Sequence, residues 1–284
     1  VAGADQGQID QIVAALAARP EVEFAAPRFG SIGVQPAPDD SEYPAGSWGA
    51  NSVEPRNWWQ RYMRLPEAWD VSQGSTLVPI AVVDNGFMTN HPDLVGQIVF
   101  VAGGNNLWDD GLDSHGTHVA GIAGAAGNNG VGVAGVNWSA NMSVFDWDSG
   151  VGTAVWDSIA IHMIDAIDRG ARVINLSAGI NWYLIKKDLL KSEGRQFVVP
   201  ADLTAKDLDL VNYVDQMVTR ALRHAARSNR DVLVSFAAGN DALPATYNGT
   251  ARTVTRFPNV MVVAAIAQAA PGTGGTRVEF SNYG

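Results

Sequence analysis

Val78-Pro79-Ile80-Ala81-Val82-Val83-Asp84-Asn85-Gly86 is the stretch on which the fold turns. Val78 to Val83 is an apolar run short enough for a strand buried on both faces, and Asp84-Asn85-Gly86 ends it in a turn. The same pattern recurs downstream. Met142 to Phe145, Arg172 to Leu176, Val232 to Phe236 and Val260 to Ala264 all read as strands. Between them lie helical periods. Thr117 to Ala126 is rich in Ala and Gly, as a closely packed helix would be. Thr153 to Arg169 places Val155, Ile159, Met163, Ile164 and Ile167 on one face and stops at Gly170. Lys206 to Arg227 is amphipathic through Leu210, Val214, Met217, Val218, Ala221 and Leu222, with Thr204 and Asp207 spaced as a capping box. Apolar strands alternating with helices predict a doubly wound α/β parallel sheet covered on both faces.

Upstream the character changes. Ile9, Ile12, Val13 and Leu16 have helical spacing until Arg19-Pro20, and Val22 to Ala25 alternates like a strand. Residues 27–57 hold Pro27, Pro36, Pro38, Pro44 and Pro55 and read as a linker or extended arm. The reading divides the chain into residues 1–35, an arm at 36–57, and one large domain at 58–284.

With 284 residues the chain is long enough for that domain and a small appendage. Its net charge of −10, with Lys and Arg scattered, argues against nucleic acid as a partner. No apolar run reaches membrane-spanning length, so no membrane partner is expected. Zero cysteines exclude disulfides and thiolate metal sites.

In a parallel α/β sheet, function gathers past the carboxyl ends of the strands. Asp84 follows one strand, Ser177-Ala178-Gly179 another, and Ala237-Ala238-Gly239-Asn240-Asp241 a third. Taken alone each is ordinary. An Asp closing a strand is usually a turn former, and Asn240 is equally a loop amide that satisfies nearby backbone. His115, in Asp113-Ser114-His115-Gly116-Thr117-His118, reads as the first turn of a helix capped by Ser114. His115 and His118 also share a helix face, which keeps a metal hydrolase open as a reading, although a third ligand is not evident.

Together the pieces are more specific. Val82-Val83-Asp84-Asn85-Gly86, His91-Pro92-Asp93-Leu94, His115-Gly116-Thr117-His118-Val119-Ala120-Gly121, Asn175-Leu176-Ser177-Ala178-Gly179 and Ala238-Gly239-Asn240 resemble, in order and spacing, the successive motifs of the subtilisin-like serine proteases. The resemblance runs from about residue 58 to Gly284 and implies that family's three-layer sheet. It implies a serine endopeptidase in which Asp84 is the triad acid, His115 the general base and Asn240 the oxyanion donor. Ser177, Ala178 and Gly179 would form one wall of a side-chain pocket, and Ala237, Ala238 and Gly239 the other. Ser149, Gly150 and Gly152 resemble the edge that pairs with extended substrate. Asp93 matches a calcium-binding aspartate, and Gly127-Asn128-Asn129-Gly130-Val131-Gly132-Val133 the loop around the ion, with Asn129 and the carbonyls of Gly127, Val131 and Val133 as ligands. Glu54 would add a ligand from the arm. Residues 1–35 resemble the end of an inhibitory propeptide, and the family suggests an extracellular or periplasmic location.

The sequence also departs from the family. Nothing matches the Gly-Thr-Ser-Met-Ala type motif that carries the nucleophile, and Val278 to Gly284 resembles the segment that precedes it. The catalytic serine is expected outside this chain, on a further segment or a second chain. The chain by itself should be inactive, with part of a core face standing open. A non-catalytic peptide-binding pseudoprotease is the alternative. Residues 180 to about 205, with Trp182, Tyr183, Lys186, Lys187 and Lys191, form an insertion beside the pocket.

Overall fold

The computed structural model of the chain describes Gln11, Ala14, Ala15, Ala18 and Arg19, then residues 38–42, 58–103, 115–147, 153–249, 256–267 and 275–284. The strand expected at 22–25, Glu54, Ser114, Ser149, Gly150 and Gly152 lie outside the described residues. The chain divides into two compact units, Val1–Pro36 and Ala37–Gly284. In the first, Gln11, Ala14 and Ala15 are helical, and the N–H of Ala18 donates to the carbonyl of Ala14 at 3.1 Å.

The second unit runs α1 (Trp58–Tyr62), α2 (Leu65–Trp69), β1 (Ile80–Asp84), β2 (Ile98–Gly103), α3 (His115–Gly124), β3 (Met142–Asp146), α4 (Thr153–Asp168), β4 (Val173–Leu176), α5 (Trp182–Glu193), α6 (Ala205–Arg227), β5 (Leu233–Ala237) and β6 (Val260–Val263). A short antiparallel pair follows, β7 (Ile266–Ala267) with β8 (Thr276–Arg277). The six strands β1 to β6 form one parallel sheet in the order β2-β3-β1-β4-β5-β6. β1 is central. On one side β2 forms the edge and β3 fills the place between it and β1; on the other the chain builds outward through β4 to β6. The carboxyl end of β1 is therefore the switch point, where an open α/β sheet has its crevice. Asp84 stands there, level with Asp146 on β3.

Alternation along the strands sorts their side chains into two cores. Ala81, Val83, Phe145, Ile174, Leu176, Val234 and Phe236 point towards α4 and α6. Val82, Met142 and Val144 pack with Ala120 of α3 on the opposite face. All of these are buried, each large apolar side chain contributing about 1.5–3 kcal/mol. α6 buries Val211, Val214, Val218, Ala221, Leu222 and Ala225, and Thr204 and Asp207 form the expected capping box. The face that α3 covers over β1 and β3 is open farther along. Leu233, Met261 and Val263 are exposed there among the described residues.

The sequence periodicity predicts neither β2 nor α5. β2 alternates inside and out, but its outward residues Val99 and Val101 are apolar, so no polar alternation marks it. α5 occupies most of the insertion. Asn181 caps it by accepting from the N–H of Leu184 at 3.0 Å, and Gly194 ends it with a φ of 62°. Among the described residues no helix is long and apolar enough to cross a membrane.

Candidate active site

The turn after β1 and the first turn of α3 are stitched together by backbone. A helix leaves its first N–H groups without partners inside the helix. Here Gly116 donates to the carbonyl of Asn85 at 2.7 Å and Thr117 to that of Gly86 at 3.0 Å. The Thr117 hydroxyl accepts the N–H of Met88 at 2.7 Å. The approach is so close that a Cβ on Gly116 would sit 2.8 Å from the Asn85 oxygen and against the Phe87 ring. The glycine after the histidine is thus a steric requirement.

That contact brings two distant groups together. Asp84 is fully buried, and its Oδ1 lies 2.6 Å from Nδ1 of His115 while accepting the N–H of Asn85 at 2.8 Å. The other oxygen, Oδ2, is buried without a hydrogen-bond partner among the described residues. The bond to Asp84 pushes the His115 pKa up; burial opposes the rise and the Asp84 charge adds to it. A carboxylate on Nδ1 leaves Nε2 as the ring nitrogen free to move a proton. With the His115 side chain 54 % exposed, the imidazole is open to a reactant.

Past the ends of β4 and β5 lies an open pocket of about 290 Å³, bordered by Ser177, Ala237, Ala238, Gly239, Asn240 and Val263. Asn240 is exposed. Ser177 borders the pocket, whereas Ala178 packs into the core and Gly179 abuts an amide, 2.4 Å separating its Cβ position from Oδ1 of Asn248. Both residues therefore stand behind the wall that the sequence assigns them to.

Two buried amides that the sequence did not single out hold this region. Asn248 accepts the N–H of Ile180 at 2.9 Å and donates to the carbonyl of Ala237 at 2.8 Å, joining the ends of β4 and β5. Asn282 donates to the carbonyl of Ala238 at 2.9 Å and accepts the N–H groups of Asp241 and Leu243, both at 3.0 Å. Nothing local marks these residues, because their partners lie far away in sequence. Asn282 does fall within the segment Val278 to Gly284, which the sequence resemblance includes.

Gly127, Asn129, Val131 and Val133 form one loop with Asp93. Asp93 Oδ1 accepts from the Asn129 amide at 3.0 Å and Oδ2 from the N–H of Val133 at 2.7 Å. Residues 38–42 lie against this loop. Asp40 Oδ2 accepts the N–H of Asn128 at 2.8 Å, Asp39 Oδ1 that of Gly130 at 2.9 Å, and Glu42 donates to the carbonyl of Gly132 at 2.8 Å. Asp40 is 1 % exposed, and its Oδ1 has no hydrogen-bond partner among the described residues. Burial pushes its pKa up against several backbone N–H bonds, and the nearby charge of Asp93 adds to the rise.

Two serines near the site are engaged elsewhere. Ser281 Oγ accepts the N–H of Ala265 at 3.0 Å, and Ser177 Oγ accepts from the Asn175 amide at 2.8 Å. Among the described residues no serine hydroxyl bonds to His115. No three of His, Asp and Glu gather there as a metal-binding group either, so the pairing of His115 with His118 finds no third ligand among them.

The model of the subtilase family matches residues 75–284. The "Thermophilic serine proteinase" of Bacillus sp. (strain AK1) is 37 % identical over 177 residues, 61 % of this chain and 41 % of that protein. Thermitase of Thermoactinomyces vulgaris is 38 % identical over 129 residues, 44 % of this chain and 45 % of that protein. The matched stretch thus spans less than half the length of either relative. A solved structure described as proteases from Pseudoalteromonas arctica PAMC 21717 shares the fold, with a TM-score of 0.53 at 23 % identity, over 87 % of this chain and 69 % of that one.

Proposed function

We propose, because the chain belongs to the subtilase family, that it provides the acid and base of a serine endopeptidase that cleaves polypeptides by acyl transfer. The observation that carries the reading is the 2.6 Å contact between Asp84 and His115 at the switch point of the sheet. Asp84 would fix the tautomer of His115 and stabilise its imidazolium. His115 would take the proton of the attacking hydroxyl at Nε2 and return it to the leaving amine. Asn240 would donate to the oxyanion. Ser177 and Ala237 to Gly239 would hold the side chain before the scissile bond, with Ser149, Gly150 and Gly152 pairing to the extended substrate.

The nucleophilic serine would come from sequence outside this chain. The reading is supported by the absence of the nucleophile motif, and by His115 having no serine partner among the described residues. Residues 1–35 would act as the propeptide until cut, and the protease would work outside the cytoplasm.

A calcium ion would sit between Asp93 and the loop at 127–133. The buried and unpartnered Oδ1 of Asp40 fits such an ion, since a buried carboxylate oxygen calls for a proton or a cation. Asp40 thereby becomes the arm's ligand, beside Asp93, Asn129 and the carbonyls of Gly127, Val131 and Val133. Hard oxygen donors of this kind suit calcium. The ion would tie the arm to the sheet and take no part in the reaction.

The test compares the full-length protease with its His115→Ala variant on an unfolded protein substrate. Hydrolysis by the parent and none by the variant is expected. Full hydrolysis by His115→Ala overturns the assignment, and binding of peptide without cleavage by the parent would mark a pseudoprotease.

A further inference from the structure

Asn240 stands on a loop whose neighbours are tied down on both sides. Before it, the carbonyls of Ala238 and Gly239 accept from the side-chain amide and the backbone N–H of Asn282, both at 2.9 Å. After it, the N–H of Asp241 donates to Oδ1 of the same buried asparagine. Asn240 itself is exposed between two anchored residues.

Asp241 adds a second connection. Its carboxylate is buried and accepts the N–H groups of Trp182 and Tyr183, the latter at 3.0 Å. These two residues open α5, where a helix has unpaired N–H groups and a partial positive charge. Asn181 caps the next free group, that of Leu184. The insertion helix and the Asn240 loop are one hydrogen-bonded unit. Burial pushes the Asp241 pKa up, and the two N–H bonds oppose it. The helix end also offsets a carboxylate one residue away from an amide meant to face negative charge. Left bare, that carboxylate would work against an oxyanion.

We propose that Asp241 is a positioning residue for the Asn240 amide, and that through it the 180–205 insertion is part of the catalytic apparatus. The proposal rests on the reading of Asn240 as the oxyanion donor. Asp241 touches no reacting atom. It acts by fixing the backbone from which the Asn240 side chain is aimed, where a small misplacement costs rate more than binding.

The test measures kcat and KM of the full-length protease on a chromogenic peptide. The variants are Asn240→Ala, Asp241→Ala, Asp241→Asn and the double Asn240→Ala/Asp241→Ala. Asn240→Ala should lower kcat by roughly 10²–10³-fold. Asp241→Ala should lower it by about tenfold, with KM within about twofold. Asp241→Asn keeps an oxygen acceptor for Tyr183 and should recover most of that loss. With Asn240 already alanine, Asp241→Ala should cost less than about twofold, since residues acting as one unit are not additive. Equal losses in the two backgrounds would show a merely structural role and overturn the proposal, as would parental kcat in Asp241→Ala. Parental kcat in Asn240→Ala sinks the underlying reading, and this proposal with it. If Asp241→Ala does not fold, Tyr183→Pro removes one of the two N–H donors from the other side, in a first helical turn that tolerates proline, and should lower kcat by a smaller factor with KM unchanged. Parental kcat in that variant overturns the proposal equally.

Discussion

Nδ1 of His115 and Oδ1 of Asp84 meet at 2.6 Å across 31 residues of sequence, one side chain half-exposed and the other sealed from solvent. The hydrogen bond raises the imidazole pKa, so the protonated form persists to higher pH than in a free histidine at about 6.5. A group raised on folding stabilises the fold fully below its unfolded pKa, and that stability is lost as pH rises through the folded value. An NMR titration should find His115 above about 6.5 in the parent and lower in Asp84→Asn. A parent His115 that titrates at or below that value contradicts the geometry. In the active protease the acid limb of the rate profile should follow the same raised pKa.

Asp40 gives calcium a separate test. An ion that binds only the folded state at about 100 times its Kd adds roughly 2.7 kcal/mol of stability. For a unit of this size a chelator should therefore lower Tm by roughly 5–10 °C. Asp40→Asn should shrink that response, because it removes one of the two charged ligands and leaves Asp93 and the loop's other donors. An unchanged Tm on chelation removes the calcium assignment.

Asn248 joins the ends of β4 and β5 from a fully buried position. Truncation to alanine orphans the N–H of Ile180 and the carbonyl of Ala237, each costing about 1–3 kcal/mol. Urea unfolding of Asn248→Ala should show a loss of about 2–6 kcal/mol. A loss under about 1 kcal/mol would mean that other contacts join the two strand ends.

Lys186 of α5 donates to Oδ2 of Asp207 in the first turn of α6, and both side chains are mostly buried. Burial alone would raise the Asp207 pKa, but the bonds from Lys186 and Thr204 outweigh it and leave the pKa lowered. A carboxyl lowered on folding stabilises above its unfolded pKa, and the gain disappears as pH falls through the folded value. Lys186→Met should therefore melt several degrees below the parent at pH 7. The gap should close below about pH 3.9. A gap that stays constant down to pH 2 would trace the loss to packing of the lysine stem instead of its charge.

The parallel sheet was legible because β1, β3, β4, β5 and β6 are short apolar runs that end in small or turn-forming residues. β2 was hidden by its own apolar outer face at Val99 and Val101. α5 was hidden too, although Asn181 and Gly194 are ordinary start and stop signals. Its exposed Tyr183, Leu184 and Ile185 blur the division between an inner and an outer face. Asp84 and His115 were legible as motif residues, yet only the fold shows that Gly116 lets them touch. Asp40 was lost in a proline-rich arm, where Asp-Asp reads as turn chemistry. Asn248 and Asn282 were missed for a general reason. A polar side chain shows its burial only through partners supplied by distant segments, and no local pattern records them.

The bare Cα of Gly116 has a last consequence. Backbone pressed against backbone fixes the start of α3 on the turn after β1, and so sets where His115 meets Asp84. A base at His115 would be aimed once, when the chain folds, and every turnover would begin from the same alignment without a fresh search for it.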